Sequence, residues 1–175
     1  MLSRRSFMMA LAATFLVGAR GQIDEYQLKA RFLCNFARYV EWPSESFKTP
    51  NDPIVICILG SDPFGGALDQ ALNGKEVEGR PFLVRPLSSI PPDLHCHILF
   101  VPSSERKRFR SIAGSLEGSA ILTIGEIQGF PTDGGVINFR LEDGRVRFEI
   151  NLDAAGRKHL RISSRLLGLA QAVMK

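Results

Sequence analysis

The chain has 175 residues, 45% of them apolar and 9% aromatic, with a formal charge of +4. That length suits one domain with a real core, and the composition is that of a globular chain. Setting aside Arg4, Arg5 and Arg20 leaves 19 basic against 18 acidic residues, so the body lacks the basic excess that nucleic-acid binding requires.

The N-terminus opens with Arg4 and Arg5, and Phe7 to Gly18 then runs without a charge. That stretch is too short to span a bilayer as a helix but suits a signal-peptide core. Small residues follow, so cleavage is expected after Ala19 or after Gly21. Residues 1–21 therefore read as an export signal and residues 22–175 as one α/β domain. Ser3-Arg4-Arg5-Ser6-Phe7-Met8 is similar to the twin-arginine signature, which leaves both export routes open.

Glu25 to Val40 has a helical spacing, with Leu28, Phe32, Phe36 and Tyr39 on one face. Pro43 ends it, because the residue before proline avoids the α region. Ile54 to Leu59 is a continuous apolar strand of the kind buried on both faces of a parallel sheet. A turn leads into a helix ending at Leu72, with Asp62 as its expected cap and Pro63 in its first turn. Further strands are expected at Pro81–Arg85, His97–Val101 and Ala120–Ile124, with a helix from Ser103 or Ser104 to Leu116. The basic run Arg106-Lys107-Arg108-Phe109-Arg110 falls on that helix as a solvated face.

A glycine-rich loop follows from Gly125 to Gly135. Val136–Leu141 and Arg145–Asn151 then form a hairpin over Asp143-Gly144. Arg145, Arg147 and Glu149 alternate with Val146, Phe148 and Ile150, so one face of it is wetter. Asp153 to Val173 reads as two short helices with a break near Leu160 to Ser163. The order implies an α/β fold: a mostly parallel sheet flanked by helices on both faces, with a C-terminal antiparallel hairpin and helix.

The three cysteines are Cys34, Cys57 and Cys96. Export leads to an oxidising space where disulfides persist. Neighbouring strands could bring Cys57 and Cys96 together as a disulfide; three buried free thiols are the alternative. His95-Cys96-His97 lacks the spacing of a metal site, so no metal is expected. Gly60 to Gly65 has the GxxxxG spacing without the Lys-Ser/Thr of a phosphate loop, and no GxSxG is present. Neither catalysis nor a cofactor is expected.

A ligand on an open parallel sheet would sit at the strands' carboxyl ends, here Gly60-Ser61-Asp62, Pro102-Ser103-Ser104 and Gly125-Glu126. Ordinary turn chemistry explains those residues equally well. Glu149, where the hairpin meets the tail, is the better candidate for holding a partner or small ligand.

Several stretches resemble the YfiR-like family of bacterial periplasmic proteins. They are Tyr26 to Pro43 (YQLKARFLCNFARYVEWP), Ile56 to Gly65, Gly74 to Pro81, Ile137 to Ala155 and Ile162 to Leu167. The resemblance implies a periplasmic repressor of an inner-membrane diguanylate cyclase, YfiN in the best-known case. An outer-membrane lipoprotein relieves the repression, and cyclic di-GMP and biofilm formation then rise. It also implies a structural disulfide between Cys57 and Cys96, and a functional pocket at Glu149, Ile137 and Ala155. Members form dimers, so a homodimer is implied as well.

Overall fold

The computed structural model describes Gly21 and residues 25–175. The expected leader, Gly21 apart, lies outside the described residues. Among the described residues no helix is long and apolar enough to cross a membrane.

Helix α1 covers residues 25–39. Its inward stripe is Ala30, Leu33, Phe36 and Ala37, while Leu28, expected on that face, is exposed. The short strand β1 (Val40–Glu41) follows, then a 3-10 turn at Ser44–Ser46. β2 is Ile54–Leu59, α2 is Ala67–Leu72, β3 is Glu76–Val77 and β4 is Arg80–Leu87. β5 (Ile98–Val101), α3 (Phe109–Ser115) and β6 (Leu122–Gly125) come next. β7 (Ile137–Glu142) and β8 (Arg145–Asn151) form the hairpin. The tail carries α4 (Leu152–Arg157), β9 (Arg161–Ile162), α5 (Ser164–Leu169) and β10 (Ala172–Met174).

Eight strands form one sheet in the order β10-β8-β7-β6-β5-β2-β4-β3, and β1 pairs with β9 beside it. Among the described residues only β7–β8 and β3–β4 pair antiparallel in the large sheet, so it is mostly parallel, as the alternation of strands and helices implied. β2 is buried at every residue because both of its faces are covered. Ile54, Ile56 and Ile58 point to the side of α1, α2, α4 and α5. Val55, Cys57 and Leu59 point to α3 and the loop around Phe130.

Four local expectations change. Asp62 does not cap α2: Gly66 occupies the cap, and the Asp62 carboxylate instead accepts from the Phe64 amide at 2.8 Å in a tight local turn. The helix expected from Ser103 to Leu116 is split into a 3-10 turn at Ser103–Glu105 and α3. Glu105 is the buried residue of the first turn, and no apolar side chain there anchors a continuous helix. Arg106, Lys107 and Arg108 lie between the two pieces and are exposed. The end of the tail is a strand rather than helix, because Ala172–Met174 pairs with β8.

Phe130 shows why the 125–135 loop needs glycine. Its ring stacks on Phe109 with centroids 4.1 Å apart. Cβ atoms at Gly125 and Gly135 would lie 2.3 and 2.1 Å from that ring, closer than any side chain tolerates. The loop thus closes the α3 side of the core.

Candidate functional site

The hairpin forms because Asp143 (φ 49°) and Gly144 (φ 71°) adopt the left-handed conformations of a two-residue turn whose twist matches the strands. Its register pairs Ile137 with Ile150, Asn138 with Glu149, Phe139 with Phe148 and Arg140 with Arg147. Side chains alternate between faces. Ile137, Phe139, Phe148 and Ile150 therefore join the core. There Phe139 and Phe148 meet Phe32 and Phe36 of α1, with ring centroids 5.0–5.9 Å apart.

The other face presents Asn138, Arg140, Glu142, Arg145, Arg147 and Glu149. α3 covers that side of the sheet over β2 and β5. Over the hairpin the face is polar and its arginines are exposed.

Glu149 sits at the centre of this surface. Its carboxylate accepts from Asn138 Nδ2 at 3.1 Å and pairs with Arg140 at 3.5 Å. Asn138 is buried, and its Oδ1 accepts from the Ile127 amide at 3.0 Å. It thereby ties Glu149 to the 125–135 loop. Arg140 also pairs with Glu142 at 3.3 Å. Arg147 stands opposite Arg140 with no carboxylate within 4 Å among the described residues. The arrangement can hold an acidic group between two guanidiniums, and it offers no nucleophile or acid–base pair. A shallow depression of about 510 Å³ lies at one end of the face, bordered by Arg145, Arg147, Leu169 and Gln171.

Ile137 and Ala155 do not share this surface. Both are buried in the core on the α1 side. Register explains it: Ile137 lies one residue from Asn138, and adjacent residues of a strand face opposite ways. Asn138 and Arg140 are residues of this face that sequence reasoning did not single out. The signal for them was the polar period-two pattern Asn-x-Arg-x-Glu on β7, matched to the one noted on β8.

Cys34, Cys57 and Cys96 are all buried free thiols, so the expected Cys57–Cys96 bond is not formed in this structure. The two side chains are nonetheless adjacent. A hydrogen bond between them lowers the Cys57 thiol below its ordinary range. Burial first, and that same contact second, push Cys96 well up. Cys96 Sγ also donates to Ile98 O at 2.8 Å. Cys34 lies in α1, where burial raises it.

The carboxyl ends of the parallel strands are filled by the chain itself. The Glu126 carboxylate accepts from Tyr26 Oη at 3.0 Å, Lys29 Nζ at 2.6 Å and the Ser103 amide at 3.3 Å. Lys29 also pairs with Glu25 at 2.5 Å. Burial and the Glu126 charge push the Tyr26 hydroxyl far above its ordinary range. An acceptor already stands where an anionic ligand would bind, so this edge fastens α1 to the sheet. Among the described residues no group of three or more His, Cys, Asp or Glu side chains is placed to hold a metal.

His97 is a buried structural residue. Its Nδ1 accepts from the Val55 amide at 3.0 Å and its Nε2 donates to Ser46 O at 3.0 Å. Its ring stacks on Phe47 with centroids 4.4 Å apart. His95 and His159 are exposed.

The sequence model of the YfiR/HmsC-like family (DUF4154) matches residues 26–171, from the start of α1 to the last residue before β10. The match takes in every strand of the large sheet but β10, together with the polar hairpin face. The chain belongs to the YfiR/HmsC-like family.

Proposed function

We propose that this protein is a periplasmic regulatory binding protein. It restrains an inner-membrane signalling enzyme, a diguanylate cyclase, by contact with that enzyme's periplasmic domain. Cyclic di-GMP and biofilm formation then rise when the contact is lost. Family membership supports the class of activity. The observation that carries the reading is the open face of the hairpin around Glu149. Rigid strands hold Arg140, Arg147 and Glu149 in a fixed pattern, with charge left unpaired on Arg147 among the described residues. Surface charges in such a pattern set partner choice and on-rate more than fold stability.

The partner surface it fits is acidic opposite Arg140 and Arg147 and carries a donor for Glu149. Export through a cleaved leader would place the domain on the correct side of the membrane. An outer-membrane lipoprotein competing for the same face would release the cyclase. A homodimer is compatible with the reading but not required by it.

The test is affinity capture from detergent-solubilised membranes of the native host. The expected catch is a diguanylate cyclase, lost with Glu149→Lys. Recovery of neither a cyclase nor a sensor kinase would contradict the proposal. A second reading, a small-molecule or peptidoglycan-fragment sensor, draws on the depression beside Arg145, Arg147 and Gln171. Thermal-shift screening separates the two, because only a sensor responds to such fragments in the absence of a partner.

A further inference from the structure

A separate cleft lies at the opposite end of the sheet from Glu126, where the C-terminal ends of α3 and α4 converge. Its volume is about 420 Å³, and it is bordered by Arg110, Glu117, Asp133, Ala154, Arg157 and Lys158, with three glycines. That size is in the range of small-molecule sites.

Lys158 is the unusual member. It is 95% buried, since its relative exposure is 5%. Its ammonium donates to one acceptor, Leu116 O, at 2.8 Å. No carboxylate lies within 4 Å of it among the described residues. Burial lowers its pKa, against a smaller opposing pull from the Glu117 charge.

Capping of α3 does not account for this placement. Leu116 O already accepts from the Ser119 hydroxyl at 2.6 Å and from the Ser119 amide at 3.2 Å. Among the described residues, two N–H groups of a buried cation are thus left without a protein acceptor, which is costly for a charged group. The nearby charges do not relieve it. Arg110 spends its charge on Asp133, through contacts of 2.7 and 3.2 Å. Arg157 is exposed and has no ion pair among the described residues. Arg157 and Lys158 therefore outnumber the remaining acid, Glu117.

We infer that this cleft is a binding site for a small organic anion, whose carboxylate or phosphate oxygens take the two spare Lys158 donors while Arg157 closes over the rim. Charge-assisted hydrogen bonds of this kind are about twice as strong as neutral ones. The site is independent of the partner surface proposed above, because it uses none of the same side chains.

The test is isothermal titration of the purified protein with inorganic phosphate and, separately, succinate at constant ionic strength. Saturable binding of either probe is expected, and which one binds tells phosphate from carboxylate chemistry. Lys158→Met is expected to weaken it by about tenfold or more, the loss of charged hydrogen bonds. Arg157→Ala is on the exposed rim and poses little risk to folding; it is expected to weaken binding severalfold. No saturable heat with either probe would overturn the inference. So would unchanged affinity in Arg157→Ala together with unchanged affinity in a folded Lys158→Met.

Discussion

Arg140 and Arg147 stand directly opposite each other on the hairpin, and among the described residues Glu149 pairs with Arg140 alone. Like charges directly opposite on a sheet destabilise it. Two exposed guanidiniums in that position are thus a feature that stability does not explain.

Arg147→Thr should raise stability by a few tenths of a kcal/mol, because it removes the repulsion and adds a good strand former. The same variant should lose affinity for the partner. Urea unfolding and membrane capture, run side by side, check both. A variant that is less stable and still binds would remove the functional reading of the pair.

Gly135→Ala should destabilise by about 2–3 kcal/mol through overpacking. Its Cβ would lie 2.1 Å from the Phe130 ring, which is stacked on Phe109 and has little room to retreat. Chemical denaturation of the variant measures the loss. A second change, Phe130→Leu, should recover part of it if the clash with the ring is the cause.

Stability should fall as the medium is acidified below the ordinary histidine value. Burial lowers the His97 pKa from 6.5, while the Ser46 carbonyl and Asp52 pull it up and Arg80 and His95 push it down. The unfolded chain therefore binds a proton more readily than the folded one. This contribution is complete above pH 6.5, declines below it, and levels off beneath the folded pKa. Protonation would also remove the acceptor that Nδ1 offers to the Val55 amide. Urea midpoints at pH 7.5 and 5.5 check it. His97→Gln should be less stable at the higher pH and show a shallower dependence; an unchanged dependence would assign the acid sensitivity elsewhere.

If the protein is exported as proposed, Cys57 and Cys96 should be found joined in protein isolated from its native host without reductant, with Cys34 free. Their adjacency in the structure makes the bond attainable. Peptide mapping without reductant reads the linkage directly. A linkage through Cys34 would contradict the fold, because Cys34 packs on the α1 side of the sheet and Cys57 and Cys96 on the α3 side.

What was legible in the sequence followed the strength of local signals. The run Ile54 to Leu59 and the Asp143-Gly144 turn marked β2 and the hairpin, because burial on both faces and a two-residue turn leave clear patterns. β10 was not legible. Ala172-Val173-Met174 is compatible with helix, and only pairing with β8 makes it a strand. The break near Leu160 to Ser163 was legible, but α4 stops earlier, at Arg157, because His159 takes the left-handed conformation (φ 57°) that glycine usually supplies there. At the candidate site Glu149 was readable from alternation. Its separation from Ile137 and Ala155 depended on cross-strand register, which residue identities taken one at a time do not carry.

Restraint of a diguanylate cyclase by the Glu149 face, as proposed, has a direct consequence in the cell. The most direct measurement is cellular cyclic di-GMP in the native host with the gene deleted, then restored as wild type or as Glu149→Lys. Deletion should raise cyclic di-GMP, the wild-type protein should bring it back down, and the exported, folded Glu149→Lys variant should leave it high. A deletion strain with unchanged cyclic di-GMP would contradict the account.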